Sequence, residues 1–273
     1  MSKTISKQGL IDVSGMTLLT PTWPEIPNVR AYTTTRIGGV SEAPFDRLNL
    51  GLSSGDNRAH VLENRSRLFD ALEGPDTVCY LNQIHSNIAV RIDERLIGVG
   101  ADASITAKPH EVSYILTADC LPILVAHREG KEVAGIHAGW KSLLTNMIEE
   151  TLALAQFPLD EYYIWLGPAI SQQAFEIGQE VRMSLELRER QLGISSQSSD
   201  HQAIFRPSPS EVEGRVFADI YQLAKNRLTH LGIPNEHIFG GDFCTYSDRE
   251  LFHSYRRDGN QSGRMASLIW IEP

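Results

Sequence analysis

Residues 111–140 read EVSYILTADCLPILVAHREGKEVAGIHAGW, and the fold turns on this stretch. It holds three apolar runs, Val112–Thr117, Leu121–Ala126 and Val133–His137. Each has the length and branched composition of a strand rather than a helix. Glu129-Gly130 predicts a turn between the last two runs, which makes them antiparallel. The runs end on Ala118-Asp119-Cys120 and His137-Ala138-Gly139-Trp140, small or polar residues that leave room for a ligand.

Outward from this block the chain alternates between the two periodicities. Strands are predicted at Val29–Thr34, Thr77–Gln83, Ala101–Thr106, Tyr162–Leu166, Leu251–Tyr255 and Met265–Ile271. Asp56 or Asn57 caps a helix through about Leu72, with Val61, Leu62, Leu68, Phe69 and Leu72 on one face, and Gly74-Pro75 stops it. Further helices are predicted over Trp140–Ala155, Glu176–Leu192 and Val216–Leu231. The polar run Ser195–Asp200 reads as a mobile loop. No repeat or clean linker interrupts the chain. The expected fold is α+β, a single domain with a mixed β-sheet and flanking helices. Residues 1–28, with Pro21, Pro24 and Pro27, read as an N-terminal extension and first strands, and residues 29–273 as the single main domain.

The 273 residues are enough for a sizeable core. With 34 acidic against 25 basic residues the net charge is −9, which disfavours general binding to nucleic acid or an anionic membrane. No signal peptide or apolar span is visible, so a cytoplasmic location is expected. Cys79, Cys120 and Cys244 are an odd set that reads as free thiols and a metal ligand rather than disulfides.

Gln83-Ile84-His85-Ser86 supplies the remaining member of a candidate metal set, His85, Cys120 and His137. Two imidazoles and a thiolate are a catalytic zinc shell that leaves one position open. The spacing alone is weak evidence, since no CxxC or HExxH is present; the flanking residues carry the signal. Asp119 is unusual beside a core cysteine, and either holds a histidine's second nitrogen or acts on substrate. Asp102 opens a strand. Cys79 reads as core, Cys244 lacks a partner at ligand spacing, and the other seven histidines read as surface or capping residues. Trp140 reads as packing. Arg36 beside Gly38-Gly39, Asn49 before a glycine, Lys141 after His137, and Arg256, Arg257 and Arg264 around a glycine-containing loop are candidates for holding an anion.

These patches, with Thr34-Thr35-Arg36, Asn49-Leu50-Gly51 and Ser254-Tyr255-Arg256-Arg257-Asp258-Gly259, resemble the YfiH-type laccase-domain family from about residue 29 onward. That resemblance implies a YfiH-like fold. It also implies a zinc-dependent purine nucleoside phosphorylase with adenosine deaminase side activity, acting on a purine nucleoside and phosphate. Asp119 and Asp102 are then the catalytic carboxylates, and Arg36, Asn49, Lys141, Arg256 and Arg257 the substrate- and anion-binding set. The chain departs from the family at Lys141-Ser142, where many relatives have Arg-Gly. It departs again at Ser171-Gln172-Gln173-Ala174-Phe175-Glu176, in place of Gly-Pro-Cys-Cys-Tyr-Glu. Lysine keeps the charge but loses the bidentate fork. Three alternatives stay open. One is a cysteine- or zinc-dependent amidase or hydrolase of peptidoglycan precursor editing, with Cys120 as nucleophile. Another is a non-catalytic metal-binding protein. Copper is the alternative metal, although a multicopper oxidase needs His-x-His pairs that the chain lacks.

Overall fold

A computed structural model describes residues 9–75, 77–92, 98–194, 204–210 and 214–273. The strands are β1 (Leu10–Val13), β2 (Met16–Leu19), β3 (Val29–Thr34), β4 (Thr77–Tyr80), β5 (Ala89–Arg91), β6 (Ala103–Thr106), β7 (Glu111–Thr117) and β8 (Leu121–His127). They continue with β9 (Val133–Ala138), β10 (Tyr162–Leu166), β11 (Glu176–Ile177), β12 (Phe205–Pro207), β13 (Val216–Ala218), β14 (Ile238–Gly240) and β15 (Met265–Ile271). Two six-stranded sheets form instead of one, in the orders β1-β2-β3-β15-β7-β4 and β14-β10-β8-β9-β6-β5, with a small sheet β11-β13-β12. Both large sheets are mixed, because β4 pairs parallel with β7, β5 with β6 and β10 with β14.

Alternation along the strands shows how the layers stack. In β15, Met265, Ile269 and Ile271 share a cluster with Leu124, Ala126 and Val133 of the other large sheet, while Ala266, Leu268 and Trp270 face the opposite way. In β8, Leu121, Ile123 and Val125 point away from that shared core. The large sheets therefore pack face to face, and their outer faces are covered by helices, Arg58–Leu72 on one side and chiefly Trp140–Leu152 and Ile220–His230 on the other. At Gly135 the approach leaves no room for a side chain, since a Cβ there would lie 2.6 Å from Ser113 Oγ. The β8–β9 hairpin forms as its turn predicts, with Leu121 opposite Ala138 and Val125 opposite Ala134.

Several predicted elements are corrected. The helix expected over Trp140–Ala155 is two short ones, Trp140–Leu144 and Met147–Leu152. Asn146 breaks it at φ 67°, a left-handed conformation that asparagine tolerates, and its Oδ1 accepts from Arg188 Nε at 2.8 Å. Glu176–Ile177 and Val216–Ala218 are paired strands, so the helices begin later, at Gln179 and Ile220. Asp219 is the actual cap of the second, accepting from the Gln222 N–H at 3.0 Å. Leu251–Tyr255 is not a strand: Ser254 Oγ caps a one-turn helix, Tyr255–Asp258. The first helix is capped by Asn57 as expected, but Leu62 faces solvent. His127 and His253 are buried rather than superficial. The Ser195–Asp200 run lies outside the described residues. Among the described residues no helix is long and apolar enough to cross a membrane.

Candidate metal centre and cleft

The two-sheet architecture brings three separate chain segments to one point. β7 belongs to one large sheet and β8 to the other, so Ala118-Asp119-Cys120 is the corner where the chain crosses between them. Asp119 makes that corner at φ 88°. His137 is the next-to-last residue of β9, the partner of β8. His85 lies in the loop after β4, at φ 57°. Its loop meets the segment leading into β6 through the Asn82–Gly100 bridge.

One ligand atom each from His85, Cys120 and His137 lie within 4.8 Å of one another. Cys120 Sγ is 3.8 Å from His85 Nε2, and the two imidazole centroids are 4.7 Å apart at 70°. A Cβ on Gly139 would lie 2.8 Å from Cys120 Sγ and 3.3 Å from His85 Cδ2, so the glycine keeps this space open.

Asp102 organises the group from behind. It is fully buried at the entry to β6, and its Oδ1 lies 2.8 Å from His137 Nδ1. It also accepts from the backbone N–H of His85 at 3.0 Å, and from the N–H and Oγ–H of Ser86 at 2.6 and 2.7 Å. Burial opposes its ionisation, but the hydrogen bonds from His137 and Ser86 outweigh burial and hold the carboxyl at about 2. Burial alone would also raise the Cys120 thiol. The positive charge of His137 and hydrogen bonds from both histidines bring it down to about 6. Burial disfavours protonated His137, whereas the Cys120 charge and the Asp102 contact raise it to about 9. A thiol so easily ionised, with two imidazoles and a carboxylate behind one of them, has the donor chemistry of a His₂Cys metal site.

The three residues sit in a cleft of about 580 Å³. Of the other expected site residues, Asp119, Lys141 and Arg256 line it. Asp119 touches neither histidine: its Oδ1 accepts from Thr245 Oγ1 at 2.6 Å and its Oδ2 from the Arg256 N–H at 2.6 Å. Lys141 Nζ lies 5.7 Å from the Trp140 ring centroid. The helix beneath it is only five residues long, so its dipole adds little. Arg256 gives its Nη1 to the carbonyl of Glu176 at 2.9 Å. Arg36 and Arg257 are not brought to the cleft. They line a separate polar depression, where Arg36 is tied to Asp46 and Arg257 to Asp258 and to backbone carbonyls. Asn49 is fully buried.

The reading by residue type missed Asn82, Ser53, Phe175 and Tyr255 as lining groups, and Trp140 borders the cleft where packing alone was expected. Arg264, one of the candidates for holding an anion, also lines it. The legible signal for Arg264 is the Asn49-Leu50-Gly51 motif, which contacts it directly. Cys79 is core, as expected, and burial raises its thiol to about 11.

Residues 30–272 match the family described as multi-copper polyphenol oxidoreductase laccase. The purine nucleoside phosphorylase YfiH of Escherichia coli is 44% identical over 255 residues, 93% of this chain and 98% of that protein. A purine nucleoside phosphorylase of Haemophilus influenzae is 39% identical, covering 94% of this chain and all of its own length. The crystal structure of YlmD from Geobacillus stearothermophilus superposes with a TM-score of 0.85 at 26% identity, over 96% of this chain and 98% of that one. A Neisseria meningitidis protein of known structure does so at 0.83 and 39% identity, over 94% and 99%. Sequence motifs, fold and relatives agree, and the chain belongs to the YfiH-type branch of the multi-copper polyphenol oxidoreductase laccase family.

Proposed function

We propose that this chain is a purine nucleoside phosphorylase whose His85, Cys120 and His137 hold a transition metal, zinc by preference, with adenosine deamination as a side activity. The observation that carries the reading is the meeting of three side chains of metal-ligating type in a cleft that also presents cations and an apolar wall. The relatives named purine nucleoside phosphorylase support the substrate class.

Bound zinc supplies a Lewis acid in this cleft. The protein's own groups do the rest. Phe175, Ile170 and Trp140 offer apolar surface to a purine. Lys141 and Arg256 offer positive charge to phosphate in an otherwise acidic chain. In phosphorolysis a phosphate oxygen bonds to C1′ of the ribose. The purine leaves with the electrons of the C–N bond, giving ribose 1-phosphate. Asp102 holds the proton on His137 Nδ1 and so presents Nε2 to the metal. The deamination reading gives Asp119, a carboxylate lining the cleft, the task of moving a proton.

Reactions of metal-replete protein with inosine or adenosine, with and without phosphate, test the reading. Chromatography is expected to show free base and ribose 1-phosphate only when phosphate is present. Absence of phosphate-dependent base release overturns it. One observation favours a second reading: Cys120, His137 and Asp102 stand in the order of a cysteine hydrolase. A hydrolase requires a free Cys120 thiolate, so amide hydrolysis by stripped protein, abolished by added zinc, is its signature.

A further inference from the structure

Arg264 lines the cleft half-buried, and among the described residues no carboxylate pairs with it. Its surroundings fix it closely. The Arg264 N–H donates to Asn49 Oδ1 at 2.8 Å, and its carbonyl accepts from the Leu50 N–H at 3.1 Å. The Asn49 amide is itself immobilised: its Nδ2 donates to Ser54 Oγ at 2.7 Å and to Asp56 Oδ2 at 2.9 Å. The stem of Arg264 runs over Gly51, where a Cβ would come within 2.6 Å of its Cγ. On the far side Gly263 rests on the His253 ring, 2.6 Å from where a Cβ would stand. Two glycines and one buried amide thus make a socket for this side chain.

The guanidinium is only partly used. Nη1 donates to the carbonyls of Ser262 at 2.7 Å and Gly263 at 3.0 Å. No further bond from Nε or Nη2 is seen among the described residues, which leaves one edge of the fork for a ligand. That edge suits two oxygens of one phosphate. The other cations fit the task less well. Lys141 is exposed and has no fork, Arg256 is exposed to solvent that screens its charge, and Arg36 and Arg257 face a different depression. A charge-assisted bond is stronger where water is partly excluded.

We propose that Arg264, seated by Asn49-Leu50-Gly51, is the residue that grips the phosphate substrate in the metal cleft, with Asn49 and Gly51 as positioning residues. This rests on the phosphorylase reading. It also gives the Asn49-Leu50-Gly51 motif a role that direct substrate contact by buried Asn49 does not.

The test is titration calorimetry of inorganic phosphate into the metal-replete protein, beside the phosphate dependence of base release. Arg264→Gln is expected to weaken phosphate binding about ten- to a hundred-fold, with zinc content and inosine binding retained. Arg264→Lys is expected to fall between parent and Arg264→Gln. Gly51→Ala, which changes no group in the cleft, is expected to raise the phosphate KM by displacing the Arg264 stem while kcat at saturating phosphate changes less. Folded Arg264→Gln that binds phosphate like the parent overturns the assignment. A parent that neither binds phosphate nor releases base overturns the phosphorylase reading as well.

Discussion

Asp102 Oδ1 lies 2.8 Å from His137 Nδ1, while the same carboxylate accepts the backbone N–H groups of His85 and Ser86. One buried side chain therefore orients one candidate ligand and holds the loop of another. Asp102→Asn keeps the size but removes the charge. It is expected to lower zinc affinity about ten- to a hundred-fold, as loss of a carboxylate behind a ligating histidine does elsewhere. Competition with a chelator measures this, and parent-like affinity counts against the arrangement.

Metal content is the direct check on the ligands. Elemental analysis of protein purified without a histidine tag is expected to give about one equivalent of zinc per chain. Cys120→Ala is expected to lose most of it. Full retention in that variant excludes Cys120 as a ligand.

The rim cations are expected to act on phosphate and not on metal. Lys141→Ala and Arg256→Ala should each raise the phosphate KM, by less than Arg264→Gln, since both are more exposed. Zinc content should stay at the parent level. If neither variant alters the phosphate dependence, the two are solvated cations without a part in binding.

Acid sensitivity is expected from His253. Burial first, then the charges of Arg36, Arg264 and Arg257, lower it to about 3 from 6.5. The unfolded chain takes up this proton below about 6.5 and the folded one does not. Stability from this group is thus unaffected above 6.5 and falls as pH drops from there toward 3, by at most about 1.4 kcal/mol per pH unit. Urea unfolding at several pH values, beside His253→Gln, measures it. The variant's profile should be flatter over that window, and an equal slope removes His253 as the cause.

Arg227 is fully buried against Glu189, with a 2.8 Å contact, and against Glu149 at 3.6 Å. Arg227→Met removes the cation that faces both carboxylates and is expected to cost about 3–5 kcal/mol in denaturant titrations. A single variant as stable as the parent contradicts the pairing.

The parts of the fold legible in the sequence are those set by local pattern. β8 and β9 are unbroken apolar runs around a Glu-Gly turn, and they form within a residue of where the pattern puts them. Asn57 and its helix are fixed by one capping side chain. Pairing between distant segments was not legible. Val216–Ala218 looks like the first turn of the helix that follows, and only its partners Glu176–Ile177 and Phe205–Pro207 make it a strand. The site divides the same way. His85, Cys120 and His137 stand out through their small neighbours. The tie between Asp102 and His137 depends on the register of β6 against β9, which no local spacing encodes. Arg36 and Arg257 share the glycine-rich setting of Arg264, and only the direction of each side chain separates them.

The hydrogen bonds that Asp102 makes to the His85–Ser86 backbone have one more consequence. They tie the loop to the protein through its own groups, so coordination need not drive folding as it does in small zinc modules. Loading then resembles filling a rigid receptor. Stripping and restoring the ion should leave circular dichroism unchanged, and the protein should survive metal starvation folded and ready to be recharged.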